Sequence, residues 1–227
     1  MEQSLEDLDW KNIEPDPRLL LHCNIPKPLH EVNPRSIKGE SWWNEQRFKV
    51  YEEQGNHCAA CGVHKSQAEG KKQWLECHEI YEINWKKGRA FFIKLVALCP
   101  YCHKFIHSGR LQALYKKREI KKQEYLDIIK HGTDILEKEG LKQLWEERHD
   151  QCEDSPGWGK WRLVFEGNYY KPKFKSYKEW AKHYGYPTAR NRAYDLVDTM
   201  TFRAMFSNGP WLDEDESFSE DMYGNNI

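Results

Sequence analysis

Two Cys-x-x-Cys pairs, Cys58/Cys61 and Cys99/Cys102, bracket a stretch that reads LECHEIYEI over residues 75–83. Each pair can hand two thiolates to one ion, and four such ligands suit a closed, tetrahedral zinc site. In a reducing compartment pairs spaced this way read as metal ligands rather than disulfides. Three histidines stand around them: His78, His103 directly after Cys102, and His107 four residues further on. Residues i and i+4 of a helix share a face, so His103 and His107 can reach one ion. With His78 they would make a three-imidazole set that keeps open positions, which is the pattern of a catalytic rather than a structural metal.

The segments HCAACG, LECHEI and LCPYCHKFIH together resemble the HNH endonucleases of the ββα-metal, treble-clef zinc type, over roughly residues 55 to 110. The resemblance implies metal-dependent hydrolysis of a phosphodiester, usually in DNA. Under it His78 stands at the family's first metal ligand and His103 at the final histidine of the motif. His107 matches the additional histidine of colicin-type members. Glu79 stands where the family has its second histidine, the general base. Lys94 falls where the family has its asparagine, five residues before Cys99. The implied cofactors are a structural Zn2+ on the four cysteines and a second divalent ion, Mg2+, Mn2+, Ni2+ or Zn2+, on the histidines. Lys94 and Arg110 become candidates for phosphate contacts. The two replacements also admit a second reading: a catalytically degenerate HNH-fold zinc protein acting as a nucleic-acid- or protein-binding module, an inhibitor or a regulator.

Elementary chemistry allows Glu79 two roles. Adjacent strand residues point to opposite faces, so His78 can take the metal while Glu79 takes the water. A carboxylate with an ordinary pKa of about 4.3 is ionised at neutral pH and can accept a proton. Equally, Glu79 can turn onto the metal and close the site. Glu76 shares the face of His78 and can either fix that ring's tautomer or make a surface ion pair. Cys77 alternates away from His78 and reads as a buried thiol. His57 and His64 flank the first knuckle and are expected to face solvent. Cys23 and Cys152 stand apart from the other cysteines, as reduced thiols.

The elements that must position these residues are legible in outline. SWWNEQRFKVYEEQG, residues 41–55, reads as a helix with Ser41 as N-cap and Gly55 as stop. Residues 73–83 and 89–99 read as strands about the turn KKG. Residues 100–109 read as a knuckle and a short helix closed by Gly109. Residues 111–148 carry apolar positions at helical spacing, a packing hairpin. Beyond it lie a strand pair, a helix opened by a capping box from Ser176 to Glu179, and a further helix over 187–206. The resulting expectation is an α+β zinc protein. An extended Pro-rich arm (1–40) precedes an HNH-like domain (41–110), a helical hairpin (111–150), a small αβ module (151–212) and a disordered acidic tail (213–227).

The formal net charge is −1, so no overall field announces a partner. The distribution is uneven: residues 86–122 carry eleven Lys or Arg against one acid, Glu119, and this run surrounds the histidines. That favours a polyanionic partner, nucleic acid and first of all DNA. Trp158, Trp161, Tyr169 and Tyr170 interleave with Lys171, Lys173 and Lys175, which suits base stacking or an ordinary Lys-edged hairpin. Asp213–Asp221 holds six acids and no base, a solubilising tail or a contact for a basic protein partner. Symmetric cutting would need a homodimer. No apolar run is long enough to cross a membrane and the acidic start lacks a signal-peptide core, so a cytoplasmic protein is expected.

Overall fold

The residues on either side of the Lys86–Gly88 turn pair as a long antiparallel hairpin, β1 (Glu76–Asn84) and β2 (Arg89–Leu98). A computed structural model of the chain describes residues 14–68, 74–142 and 155–185. The expected helix over 187–206, the acidic tail and Cys152 lie outside them. Gly88 (φ +62°) closes the hairpin turn, and a Cβ there would meet Pro156 at 2.5 Å. The ladder is interrupted once: Ile80 faces Lys94 but Tyr81 faces Phe92, so Ile93 bulges out and is half exposed. Such a bulge bends and twists the ribbon. It separates the half that carries His78 from the half that packs a second core.

Helix α1 (Pro34–Lys38) is opened by a reciprocal capping box between Asn33 and Ser36. Helix α2 (Glu40–Glu53) matches the expected 41–55 helix, but its N-cap is Gly39, not Ser41. Gly39, at φ +90°, also ends α1, so one left-handed glycine serves both helices and Ser41 falls inside the first turn. Helix α3 (Pro100–Ile106) starts with Cys99 as N-cap and Pro at its first position, where a missing N–H costs nothing. Gly109 is not a stop. The chain bends at His107 (φ −84°, ψ 50°) and continues as α4 (Ser108–Lys116), with Gly109 inside it. Helix α5 (Lys122–Lys138) folds back on α3 and buries Ile128, Gly132 and Leu136.

The later strand pair joins the same sheet. Strand β3 (Arg162–Phe165) runs parallel to β2, with Ala90 opposite Leu163, and β4 (Asn168–Tyr170) pairs antiparallel to β3. The order is β1-β2-β3-β4. Helix α6 (Tyr177–Tyr184) follows, with Ser176 accepting the Glu179 N–H as the capping box requires. The Glu179 carboxylate takes the backbone N–H of Lys175, one residue outside the usual partner.

Three apolar clusters result among the described residues, the smallest of them Phe174, Trp180 and Ala181 beside α6. The first gathers Leu20, Val96, Leu98, Phe105, Ile106, Leu111, Ile128 and Leu136 around the cysteines. The second gathers Leu29, Val32, Tyr81, Trp85, Trp161, Leu163 and Phe165. Residues 14–33 contribute to the first two. This part of the Pro-rich segment is wrapped on the body: Pro17–Leu21 and Lys27–Leu29 form 3-10 turns, and Leu20 and Leu29 are fully buried. Pro17 and Pro28 pre-set the backbone of those turns while forbidding longer helices. Among the described residues no helix is long and apolar enough to cross a membrane.

Candidate metal centre

The four cysteines of the two knuckles converge. Cys58, Cys61, Cys99 and Cys102 hold their sulfurs within 4.8 Å of one another. Gly62 (φ +75°) lets the first knuckle turn, with its N–H on the Cys58 carbonyl. The Ala59 N–H bonds the Ala97 carbonyl and fixes the knuckle to β2. In the second knuckle the Cys102 N–H points at the Cys99 sulfur, 3.4 Å away. Contact with the Cys102 thiol holds Cys58 and Cys61 below the ordinary thiol range, while contacts with Cys58 and Cys61 drive Cys102 well above it. Four sulfurs this close cannot all ionise unaided. A zinc ion would hold all four as thiolates, so the set fits a structural metal. Sequence reasoning missed His131 on α5, whose Nε2 lies 3.4 Å from Cys102 Sγ and 3.9 Å from Cys99 Sγ. An N–H there donates to sulfur charge.

One residue beyond Cys102 the second group begins. His78 from β1, His103 from α3 and His107 at the α3–α4 bend each bring a ligand nitrogen within 4.8 Å of the other two. The helical spacing does its part, with the His107 N–H on the His103 carbonyl at 3.1 Å. Each ring has a fixed partner on its far side. His103 Nδ1–H donates to the Glu76 carboxylate. His107 Nδ1–H donates to Asn24 Oδ1 at 3.1 Å. His78 Nε2 lies 3.1 Å from His22 Nδ1. Glu76 therefore secures His103, not His78 as its strand face suggested: α3 crosses the end of β1 and brings His103 nearer. Burial opposes ionisation of Glu76, but the bond from His103 keeps its carboxyl below the ordinary value.

The donor set fits a cation. Burial first, then the neighbouring imidazoles, lower the pKa values of His78 and His107 well below normal, so both rings are neutral. Neutral imidazole is the ligating form. His78 Nδ1 is buried and has no hydrogen-bond partner among the described residues. An orphaned imidazole nitrogen costs free energy unless something electrophilic meets it.

No family model, curated protein or solved structure matches this chain.

Glu79 is not among the converging ligands and does not close the histidine group. It leaves β1 on the face of Cys77, opposite His78. Burial raises its carboxyl pKa, against the pull of His103 and Arg35, and it makes no ion pair among the described residues. Cys77 is a half-buried thiol pushed up to about 12 by burial and by Glu79, hence inert. The two candidate phosphate contacts stay at the surface: Lys94 on β2 opposite Ile80, and Arg110 on α4, are both exposed. His57 and His64 meet ring to ring, tilted, with centres 4.9 Å apart beside the first knuckle, outside both groups. In the aromatic–basic stretch Trp161 is fully buried, Trp158 donates to the Phe174 carbonyl, and Lys173 pairs with Glu31. Tyr169 alone of the four rings projects, 63% exposed, with the Arg89 guanidinium 5.9 Å from its centre.

Proposed function

We propose that this protein is a metal-dependent endonuclease of HNH type that hydrolyses phosphodiester bonds, with DNA as the favoured substrate. The observation that supports it is the convergence of His78, His103 and His107 next along β1 to a desolvated carboxylate, Glu79. A divalent cation on the three imidazoles would supply Lewis-acid stabilisation of charge on the phosphate and the leaving oxygen. Glu79 takes a proton from the attacking water. The water oxygen bonds to phosphorus while the bond from phosphorus to the leaving sugar oxygen breaks. A carboxylate raised by burial is a stronger base than an exposed one, which suits this task. Three nitrogen donors favour Zn2+ or Ni2+ over Mg2+ and Mn2+, which prefer oxygen ligands. Lys94, Arg110 and the exposed Lys116, Lys117 and Arg118 supply phosphate contacts that position the strand without reading its sequence.

A zinc protein that binds nucleic acid without cutting it is the second reading. It draws on Lys94, a solvated cation where the resembled family carries an asparagine. Incubation of the purified protein with plasmid, single-stranded DNA and RNA across Mg2+, Mn2+, Ni2+ and Zn2+ separates the two. Cleavage by the wild type that is lost in Glu79→Ala and His103→Ala is expected. Binding without cleavage under every metal would sink the nuclease and leave the binding module.

A further inference from the structure

We propose that the N-terminal segment is a working part of the metal centre: His22 and Asn24 are positioning residues that each fix one ligand ring through its non-ligating nitrogen. The inference rests on reading His78, His103 and His107 as metal ligands, but not on cleavage of any substrate.

The argument is a count of protons on nitrogens. His107 Nδ1–H donates to Asn24 Oδ1, and His103 Nδ1–H donates to Glu76, so both rings turn an Nε2 lone pair to the centre. His78 has one hydrogen-bonding contact, His22, and its tautomer follows from that of His22. The other nitrogen of His22 sits at the free edge of β1, where Tyr81 offers it both backbone groups, N–H at 2.9 Å and C=O at 3.1 Å. Either tautomer of His22 leaves one of these without the imidazole, so the difference lies at His78. With the proton on His22 Nδ1, His78 must carry its own proton on Nδ1, buried with no acceptor. That costs about 1–3 kcal/mol. With the proton on His22 Nε2, donated to the Tyr81 carbonyl, His22 Nδ1 accepts from His78 Nε2–H. The orphaned His78 Nδ1 then bears a lone pair, and that is what a cation takes. Each of the three ligands thereby gains a different acceptor: carboxylate, amide oxygen and imidazole. The burial of Leu20 and Leu29 on either side holds His22 and Asn24 in place.

The test is calorimetric titration of Ni2+ into the full-length protein with its four-cysteine site already carrying zinc. His22→Leu and Asn24→Ala are each expected to weaken nickel binding about 10- to 100-fold while zinc is retained. His22→Asn, whose new amide oxygen can accept from His78 in place of Nδ1, is expected to recover most of the loss. Its nickel absorption spectrum should match the wild type's, because the ligand set is unchanged. Wild-type affinity in both His22→Leu and Asn24→Ala overturns the proposal. So does nickel binding in His22→Asn as weak as in His22→Leu, or loss of zinc together with nickel in both His22→Leu and Asn24→Ala, which would mean general packing only. A spectrum altered in His22→Asn would make His22 a ligand and overturn its positioning role. Tight nickel binding without DNA cleavage leaves this inference standing and removes the nuclease; unchanged nickel affinity in variants of an active nuclease does the reverse.

Discussion

At the scale of single residues, the candidate ligands come in local pairs, Cys58/Cys61, Cys99/Cys102 and His103/His107, with His78 brought in by β1. Cys-x-x-Cys and His-x-x-x-His are local geometries: three or four residues place two ligands on one side of a turn or helix. The groups that steady the ligands are remote. His22 is 56 residues from His78, Asn24 is 83 from His107, and His131 is 29 from Cys102. No spacing rule spans such gaps, and a lone histidine or asparagine in a Pro-rich segment carries no signal until the fold closes on it. Glu76 was legible as a steadying carboxylate but was matched to the wrong ring, because strand alternation says which face it shares and not which helix crosses that face. The four-cysteine group yields a prediction at this scale. Because a zinc ion on the four cysteines would tie α3 to the first knuckle at the centre of the larger core, Cys102→Ser is expected to lose zinc binding and cooperative unfolding together. His131→Ala keeps all four ligands but removes the donor on sulfur, so it should fold yet lose zinc to a competing chelator about 10- to 100-fold more readily. Chelator competition followed by absorbance checks both; equal zinc retention in His131→Ala would show that its contact with Cys102 does not support the metal.

At the scale of elements, the hairpin β1–β2 and helices α2 and α5 follow from their patterns, whereas the junctions between elements do not. The bend at His107 has no glycine or proline at its centre; it is set by the packing of α3 on α5 and α4 on its neighbours. The position of β3 was also hidden, since parallel pairing with β2 depends on a crossover and not on any feature of RLVF itself. Gly132 shows the cost of close packing. It sits in mid-helix, where glycine is ordinarily worse than alanine by about 0.5–1 kcal/mol. Here a Cβ would lie 2.3 Å from the Phe105 ring, so α5 can approach α3 only without one. The clash wins over the propensity: Gly132→Ala is expected to destabilise by about 1–2 kcal/mol net. The melting temperature should fall by about 3–6 °C, and a Phe105→Leu background should relieve much of it. An alanine that stabilises in the wild-type background would mean that α3 and α5 do not meet this closely.

At the scale of the whole molecule, the segment 14–33 joins the two larger cores, as the β1–β2 hairpin also does. Leu20 is buried with the cysteines, Leu29 and Val32 with Trp161 and Phe165, and the residues between them reach the histidines. Its far end docks on α6. Trp180 Nε1 donates to His30 Nδ1 at 3.1 Å, and Glu31 gathers Lys173, the Tyr184 hydroxyl at 2.8 Å and His183 at 3.3 Å. The bonds from Lys173 and Tyr184 lower the Glu31 carboxyl below its ordinary 4.5. A group whose folded pKa is depressed binds protons more readily in the undocked state. Its contribution is therefore complete above pH 4.5 and is lost as the pH falls from there toward the depressed value. The group is largely solvated, so the effect is local docking rather than global stability. Amide exchange protection at Trp180 and Ala181, corrected for intrinsic exchange, is expected to fall below pH 4.5 in the wild type. Glu31→Gln should show the reduced protection already at neutral pH and no further step on acidification. A variant that retains the acid step would place the titrating group elsewhere and leave the docking of α6 to the contacts of Trp180 and Tyr184 with His30 and of Trp180 with Lys27.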